Sequence, residues 1–344
     1  MRALVLAGGA GSRLRPLTDT RPKPLVPLLG DPFAAGLLSR LAEAGCDRAT
    51  FLVGADAAPF ADLVGIGAER GVTVDVATEE RPLDTAGAAR RALAGQRSGP
   101  VLVANGDILT DLDLDALVSA HAERGAVATL ALTRVEDTSA YGVVVTDDGG
   151  EVRAFVEKPP PGTVEADTIN AGTYVLDPDA LAVFPGDGPL SFEREVFPGL
   201  LDRGARLLGQ VSGAHFADLG TPARYRAGHA AVLAGRCRWP HGQGMAVEAG
   251  LARHATAEVA ADARLEAPVT LGRGVRVGAG AALRDVVALP GAVVGAGAVL
   301  EGCVLGEGAV VGEGAVLRGD VVLGDGARVP AGDRREGLVR LPEA

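Results

Sequence analysis

The chain has 344 residues, a formal net charge of −11 and 47% hydrophobic residues. This length suits two domains, and an acidic chain without a basic stripe excludes a nucleic-acid surface. No apolar run approaches the roughly 20 residues of a membrane span. Cys46, Cys237 and Cys303 are too few and too scattered for a disulfide framework or a zinc site. We therefore expect a cytoplasmic protein that binds neither nucleic acid nor membrane.

Residues 1 to about 238 alternate short aliphatic runs with segments of helical composition. This alternation predicts a mostly parallel sheet with helices on both faces. The predicted helices include Ala34–Ala44 and Thr85–Leu93. The predicted strands are Ala3–Ala7, Ala49–Val53, Val72–Ala77, Val101–Ala104, Ala126–Thr133, Gly142–Val145, Val152–Glu157 and Thr173–Leu176.

A glycine-rich turn, AGGAGSR, follows the first predicted strand directly. Its glycines allow a tight bend that turns backbone N–H groups toward an anion. The turn lacks the Lys-Ser/Thr pair of a P-loop and the third glycine of the dinucleotide fingerprint. Arg13, Arg15 and Lys23 follow it within a few residues, and three cations beside such a loop suit a triphosphate.

Lysine is rare in this chain. Of the 33 basic residues, only Lys23 and Lys158 are lysines, and they lie in the segments RPKPLVP and FVEKPP. Because lysine presents a compact ammonium where arginine presents a planar fork, we expect both lysines at positions that need the smaller group.

Beyond Trp239 the pattern becomes a hexad repeat. Its period fits neither a helix nor a hairpin, but it fits short parallel strands stacked as triangular coils with glycine at the corners. We predict domains at 1–238 (catalytic), 239–255 (linker), 256–332 (repeat) and 333–344 (tail). The large aliphatic residues of the repeat are Leu265, Leu271, Val277, Leu283 and Leu289, then, after a five-residue step, Val294, Leu300, Leu305, Val311, Leu317, Leu323 and Val329.

Two families are indicated by these motifs. The repeat resembles the hexapeptide-repeat left-handed β-helix. AGGAGSRLRP followed by KPLVP resembles the opening of the sugar-1-phosphate nucleotidylyltransferases (nucleotide-sugar pyrophosphorylases), and PLDTAGAAR, VANGDIL, FVEKP, INAGTYV and FADLGTPARY follow in that family's order. The resemblance implies an α/β fold, with a Rossmann-like mixed-sheet nucleotidyltransferase domain followed by a left-handed parallel β-helix.

The same resemblance implies roles for single residues. It implies Arg13, Lys23 and Lys158 as catalytic cations, and Asp107 and Asp218 as ligands of Mg²⁺. Sugar-phosphate contacts are implied for Tyr141, Gly142, Glu157, Lys158, Asn170 and Gly172. Nucleotide contacts are implied for Leu6, Gly8, Gly9, Gly11, Ser12, Arg13, Thr85, Ala86 and Gly87.

The substrates are implied less sharply. The segment Thr78-Glu79-Glu80 and the repeat tail resemble GDP-mannose pyrophosphorylase-like members, which favours GTP and mannose 1-phosphate. Asp84 replaces the family's usual glycine, where it either alters the nucleotide choice or points to solvent. The alternative substrates are dTTP or UTP with glucose 1-phosphate. A non-catalytic subunit that binds nucleotide-sugar is a further alternative. An acyltransferase is disfavoured, because no histidine lies within 259–329 to act as base. We expect a homo-oligomer formed through the β-helix.

Overall fold

A computed structural model describes residues 1–95, 99–160 and 162–342. The chain divides into two compact units, and each is built from two separate segments. The first unit comprises Met1–Gly9 and Leu37–Phe216, and the second comprises Ala10–Gly36 and Ala217–Ala344. The second unit therefore groups most of the glycine-rich loop and the KPLVP segment with the C-terminal repeat. The sequence had predicted residues 1–238 as one domain.

The first unit contains a mixed sheet. Its main path in spatial order is Val152–Glu157, Gly142–Thr146, Thr168–Leu176, Val101–Asn105, Arg2–Leu6, Arg48–Val53 and Thr73–Thr78. The last four strands are parallel, whereas Thr168–Leu176 runs antiparallel to its neighbours. Ala128–Arg134 pairs with Thr168–Leu176 and with Leu207–Val211. The sheet is thus less parallel than the alternating pattern predicts, and it is the mixed sheet that the family resemblance implies.

The strands that the sequence predicted in this unit are all present, within a few residues of their predicted ends. Ala3, Leu4 and Val5 are completely buried, because both faces of these parallel strands are covered. Such strands are apolar throughout, which is why a continuous aliphatic run predicted them. The strands at Ile108–Thr110, Leu207–Val211 and Phe216–Asp218 were not predicted. Helices cover Phe33–Glu43, Asp62–Glu69, Asp84–Ala92, Leu114–Arg124 and Phe197–Asp202, and a π-helical turn covers Phe192–Val196.

Within 1–95, 99–160 and 162–342, none of the helices combines the length and apolar character that a membrane-crossing helix needs.

The second unit is built on parallel strands that pair from one coil to the next. Arg264 pairs with Ala282, Ala282 with Val299, and Val299 with Val316. The coil from Ala282 to Val299 is one residue shorter than the coil before it, which accommodates the five-residue step in the repeat. The strands are Met245–Glu248, Leu251–His254, Glu258–Val259, Arg264–Leu271, Arg276–Val277, Ala282–Ala288, Val293–Val294, Val299–Leu305, Val310–Val311, Val316–Leu323, Arg328–Val329, Arg334–Glu336 and Val339–Leu341.

Other elements complete the second unit. The segments predicted as linker (239–255) and tail (333–344) contain paired strands at both ends of the stack. A small hairpin joins Pro27–Leu28 to Asp31–Pro32. The helix Pro222–Leu233 is capped at its N-terminus by Thr221, whose side chain accepts a hydrogen bond from the Arg224 N–H.

The glycines that directly follow the large aliphatic residues of the repeat leave no space for a side chain. A Cβ at Gly278 would lie 2.6 Å from Ala296 N, and one at Gly295 would lie 2.5 Å from Glu313 N. In both cases the obstacle is the backbone of the next coil, which cannot move without breaking the stack. The prediction of glycine at the corners is therefore explained by the close approach of successive coils.

We expect Gly295→Ala to lower the free energy of unfolding of the second unit by about 1–3 kcal/mol, because the added methyl overpacks the stack. The matched substitution Gly65→Ala lies on the exposed helix Asp62–Glu69, where a Cβ meets no atom within 4 Å. There we expect a gain of roughly 0.5–1 kcal/mol from helix propensity. Urea unfolding followed by circular dichroism measures both, and effects of the same sign would contradict the close approach.

Candidate active site

A cavity of about 340 Å³ opens in the first unit where its parallel strands end. Ligands of open α/β sheets bind in such crevices, outside the carboxyl ends of the strands. Four residues predicted to contact the nucleotide and one predicted metal ligand line it. The lining residues are Leu6, Gly8, Gly9, Leu52, Glu79, Pro82, Asp84, Thr85, Ala88, Asn105 and Asp107.

Asn105 lines this cavity and carries a buried side-chain oxygen. Its Oδ1 atom has no hydrogen-bond partner, and Asp107 lies two residues further on. A buried carbonyl oxygen without a partner is costly, which marks a place for a ligand. Gly172 has a φ of +69°, and a Cβ there would lie 2.6 Å from Asn105 Nδ2. Gly172, predicted as a sugar contact, is thus required to admit the Asn105 side chain.

The PLDTAG segment contributes Thr85 to the cavity, but Ala86 and Gly87 take a different position. Both donate their N–H groups to Leu190 O, at 2.9 Å each, and neither lines the cavity. Their backbone donors are therefore used within the protein. Their predicted nucleotide contacts stay predictions.

Asp84 adopts a φ of +59°, a left-handed conformation that explains why the family usually has glycine there. Aspartate tolerates this region better than most residues. Its carboxylate pairs with Arg194 and also accepts a hydrogen bond from Thr85 N at 2.8 Å. Glu79 caps the same segment by accepting from Leu83 N at 2.8 Å. The negative charge of Asp84 is thus compensated at the edge of the cavity.

Four of the predicted sugar-phosphate residues are brought together by one antiparallel pair of strands. Gly142 pairs directly with Glu157, and Lys158 N donates to Tyr141 O at 3.0 Å. A Cβ at Gly142 would lie 2.8 Å from Glu157 Oε2, so glycine there leaves room for the carboxylate. Lys158 Nζ lies 2.9 Å from Glu157 Oε1, and the lysine side chain is 65% exposed. An exposed ammonium beside a carboxylate is suited to a sugar phosphate.

Asn170, the remaining predicted sugar contact, lies on a strand whose register shifts between Asn170 and Tyr174. Its Oδ1 accepts from Gly172 N at 3.0 Å, and its Nδ2 donates to Tyr174 Oη at 3.0 Å. The side-chain amide is thus held in one orientation.

In the second unit, the glycine-rich loop packs against the stem of Lys23. Gly11 has a φ of +61°, and a Cβ there would lie 3.3 Å from Lys23 Cβ. Ser12 and Arg13 follow in a short 3-10 turn, Ser12–Leu14, and Thr18 Oγ1 donates to Gly11 O at 2.9 Å. The conformation of the loop therefore depends on the glycine at position 11.

Three cations converge on the carboxylate of Asp218 in the same unit. Lys23 Nζ lies 3.1 Å from Oδ1, while Arg224 Nη1 and Arg13 Nη2 lie 2.9 and 3.6 Å from Oδ2. Lys23 and Asp218 are only 10% and 15% exposed, whereas Arg13 is 66% exposed. Three positive charges around one negative charge leave an excess that attracts a polyphosphate.

Sequence reasoning gave no role to three residues of these sites. Arg224 lies inside the quoted FADLGTPARY segment, where its spacing from Asp218 was the available signal. Asn105 lies inside VANGDIL, and only its aspartate was selected. The third is Glu193, whose Oε2 accepts a hydrogen bond from Thr85 Oγ1 at 3.1 Å; it had no signal in the sequence, because 108 residues separate these partners.

The fold, the strand-end cavity and the cationic loop together define a nucleotidyl transferase. The profile of the nucleotidyl transferase family matches residues 2–235, and a profile described as the GMPPB C-terminal domain matches residues 248–338. The chain belongs to the sugar-1-phosphate nucleotidylyltransferase family of nucleotidyl transferases.

Relatives and solved structures agree with this assignment. The mannose-1-phosphate guanylyltransferase of Mycobacterium tuberculosis is 39% identical over 292 residues, which cover 84% of this chain and 80% of the relative. The catalytic subunit beta of the Drosophila melanogaster mannose-1-phosphate guanylyltransferase is 35% identical, covering 66% of this chain and 61% of the relative. The crystal structure of HddC from Yersinia pseudotuberculosis complexed with GMP-PN is 28% identical, with a TM-score of 0.56, covering 66% of this chain and 97% of HddC.

Proposed function

We propose that this protein transfers GMP from GTP to mannose 1-phosphate, forming GDP-mannose and releasing pyrophosphate. The observation that carries the proposal is the convergence of Lys23, Arg13 and Arg224 on Asp218 in a chain that belongs to the nucleotidyl transferase family. The choice of GTP and mannose 1-phosphate is supported by relatives named mannose-1-phosphate guanylyltransferase.

The reaction joins two anions, since a phosphate oxygen of the sugar attacks the α-phosphorus of the triphosphate. Positioning and charge compensation carry such a transfer. In this proposal Arg13, which is exposed, binds the β- and γ-phosphates as pyrophosphate leaves. Lys23 neutralises the nucleotide phosphates, Lys158 binds the phosphate of the sugar substrate, and Glu157 accepts hydrogen bonds from the sugar hydroxyls. The substrate supplies its own nucleophile, so no protein nucleophile is needed.

A magnesium ion fits the oxygen donors of the first unit. Asn105 and Asp107 both line the cavity and carry oxygen donors, and Mg²⁺ prefers such hard ligands. Asp218 is surrounded by cations, which fits a metal ligand once phosphate oxygens engage those cations. We propose Asp107 and Asp218 as the ligands. When bound, the ion would supply charge neutralisation at the phosphates.

The test is a pyrophosphate-release assay with five nucleoside triphosphates and a panel of sugar 1-phosphates. We expect turnover to be fastest with GTP and mannose 1-phosphate. A preference for dTTP or UTP with glucose 1-phosphate would contradict the proposed substrates. No pyrophosphate release with any pair would favour a subunit that only binds nucleotide-sugar.

Chelation provides a separate test of the metal. We expect EDTA to abolish pyrophosphate release and added Mg²⁺ to restore it. Asp107→Asn is expected to raise the Mg²⁺ concentration for half-maximal rate by about tenfold or more, because a ligand is lost. The exposed Asp62→Asn is the control. Full turnover in EDTA would contradict the metal assignment.

We further propose that the coils of the second unit form a left-handed β-helix, supported by the hexad period and the parallel register. Oligomerisation through this region and a cytoplasmic location are proposed with it. The location is supported by three cysteines that are buried thiols rather than disulfides.

A further inference from the structure

A partly buried carboxylate in the first unit accepts three hydroxyl groups. Glu193 lies in the π-helical turn Phe192–Val196. Its Oε1 accepts from Tyr174 Oη at 3.1 Å, and its Oε2 accepts from Thr85 Oγ1 at 3.1 Å and Ser191 Oγ at 3.0 Å. Among the described residues no ion pair reaches it. A carboxylate held by hydroxyl donors instead of a cation organises those donors.

One arm of this network leads to the nucleotide cavity. Thr85 lines the cavity, and its hydroxyl is fixed from two directions, because it donates to Glu193 and accepts from Phe192 N at 3.0 Å. The start of the helix Asp84–Ala92 is thus tied to the Phe192–Val196 turn. A shift of Glu193 would move the Thr85 side chain at the cavity wall.

The other arm leads to the predicted sugar contact. The Tyr174 hydroxyl donates to Glu193 and accepts from Asn170 Nδ2 at 3.0 Å. Tyr174 is completely buried, and burial together with the nearby Glu193 charge raises the pKa of its hydroxyl well above the usual value. The hydroxyl therefore remains a donor throughout the working pH range. Because its proton is directed to Glu193, the Tyr174 oxygen accepts from Asn170 Nδ2, and this bond helps to hold the Asn170 amide in one orientation.

We infer that Glu193 is a positioning residue that sets Thr85 at the nucleotide and, through Tyr174, Asn170 at the sugar. The inference rests on the proposed function for the identity of the two ligands. It assigns Glu193 no contact with the reacting atoms. Since both arms end on the same carboxylate, one substitution should disturb both substrate sites.

The test compares Glu193→Gln with two matched variants. The amide of glutamine replaces one accepting oxygen by a donor, so it cannot serve both arms. The substitution also removes the negative charge that all three hydroxyl bonds share, which weakens the arm that keeps an accepting oxygen. We therefore expect Glu193→Gln to raise the KM for GTP and the KM for mannose 1-phosphate by about tenfold each, with a smaller change in kcat. Tyr174→Phe cuts only the sugar arm and should raise only the KM for the sugar phosphate. Glu195→Gln, at an exposed residue of the same turn whose side chain accepts from Ser191 N, should keep both wild-type KM values.

The double variant Glu193→Gln/Tyr174→Phe separates positioning from general loosening. If the sugar arm runs through Glu193, the double variant should show the sugar KM of Glu193→Gln alone. Wild-type KM values in a folded Glu193→Gln, or fully multiplicative effects in the double variant, would overturn the inference.

Calorimetric titration of GTP and of mannose 1-phosphate, each alone, keeps the inference distinct from the proposed function. A wild-type protein that binds GTP and mannose 1-phosphate without turnover would contradict the proposed reaction. In that case weaker binding of the two ligands by Glu193→Gln would still support the positioning role. A wild-type protein that binds neither would sink both. Turnover in the wild type with unchanged Kd and KM values in Glu193→Gln would sink the inference alone.

Discussion

Lys23→Arg is expected to lower kcat/KM by roughly 10²-fold, or about 2.7 kcal/mol, although the charge is kept. Lys23 is 10% exposed, its stem packs against Gly11, and its ammonium lies 3.1 Å from Asp218 Oδ1. The other oxygen of Asp218 already contacts Arg224 and Arg13. A longer, planar guanidinium therefore cannot occupy this position without displacing its neighbours. Steady-state pyrophosphate release measures the effect.

Two further variants are compared with Lys23→Arg. Lys158→Arg should also impair turnover, mainly through the KM for the sugar phosphate, because Lys158 is 65% exposed beside Glu157. Arg48→Lys, at an exposed pair with Asp75, should have wild-type kinetics. Wild-type turnover in Lys23→Arg would show that any cation suffices and would remove the special role of this lysine.

Arg226→Met is expected to destabilise the second unit by about 2–3 kcal/mol, because it leaves two carboxylates without their shared partner. Arg226 is 12% exposed and lies 3.1 Å from Asp285 Oδ2 and 2.7 Å from Asp320 Oδ1. Burial alone would raise the pKa of Asp320, but hydrogen bonds from Arg340 and Arg226 hold it below its usual value. We expect less than the roughly 3–5 kcal/mol of a fully buried pair, because Asp285 is 38% exposed.

The fluorescence of the single tryptophan measures the unfolding of the second unit. Trp239 is buried in the same unit and stacks on Phe33, with ring centroids 4.8 Å apart. Urea unfolding followed by its fluorescence should show a lower midpoint for Arg226→Met. The exposed Arg236→Met, near the end of the same helix, is the control and should unfold like the wild type. An unchanged midpoint in Arg226→Met would mean that the two ion pairs add nothing.

Local patterns predicted the elements of this protein well. An aliphatic run or a six-residue period is carried by neighbouring residues, so the strands of the sheet and the parallel coils were predictable. The glycine-rich turn was predictable for the same reason, because tight bends near an anion require glycine at fixed positions. The motif order predicted the family, which the comparisons show.

The arrangement of charged and polar side chains was decided by the tertiary structure. Lys23 and Asp218 are separated by 195 residues, and Thr85 and Glu193 by 108, so no local period connects them. The same holds for the grouping of residues 10–36 with the C-terminal coils. Hydrogen bonds and ion pairs act over a few ångströms, and only the folded chain brings such partners within that distance. The sequence alone therefore predicted most of the elements and the family, and the fold established which side chains lie close together.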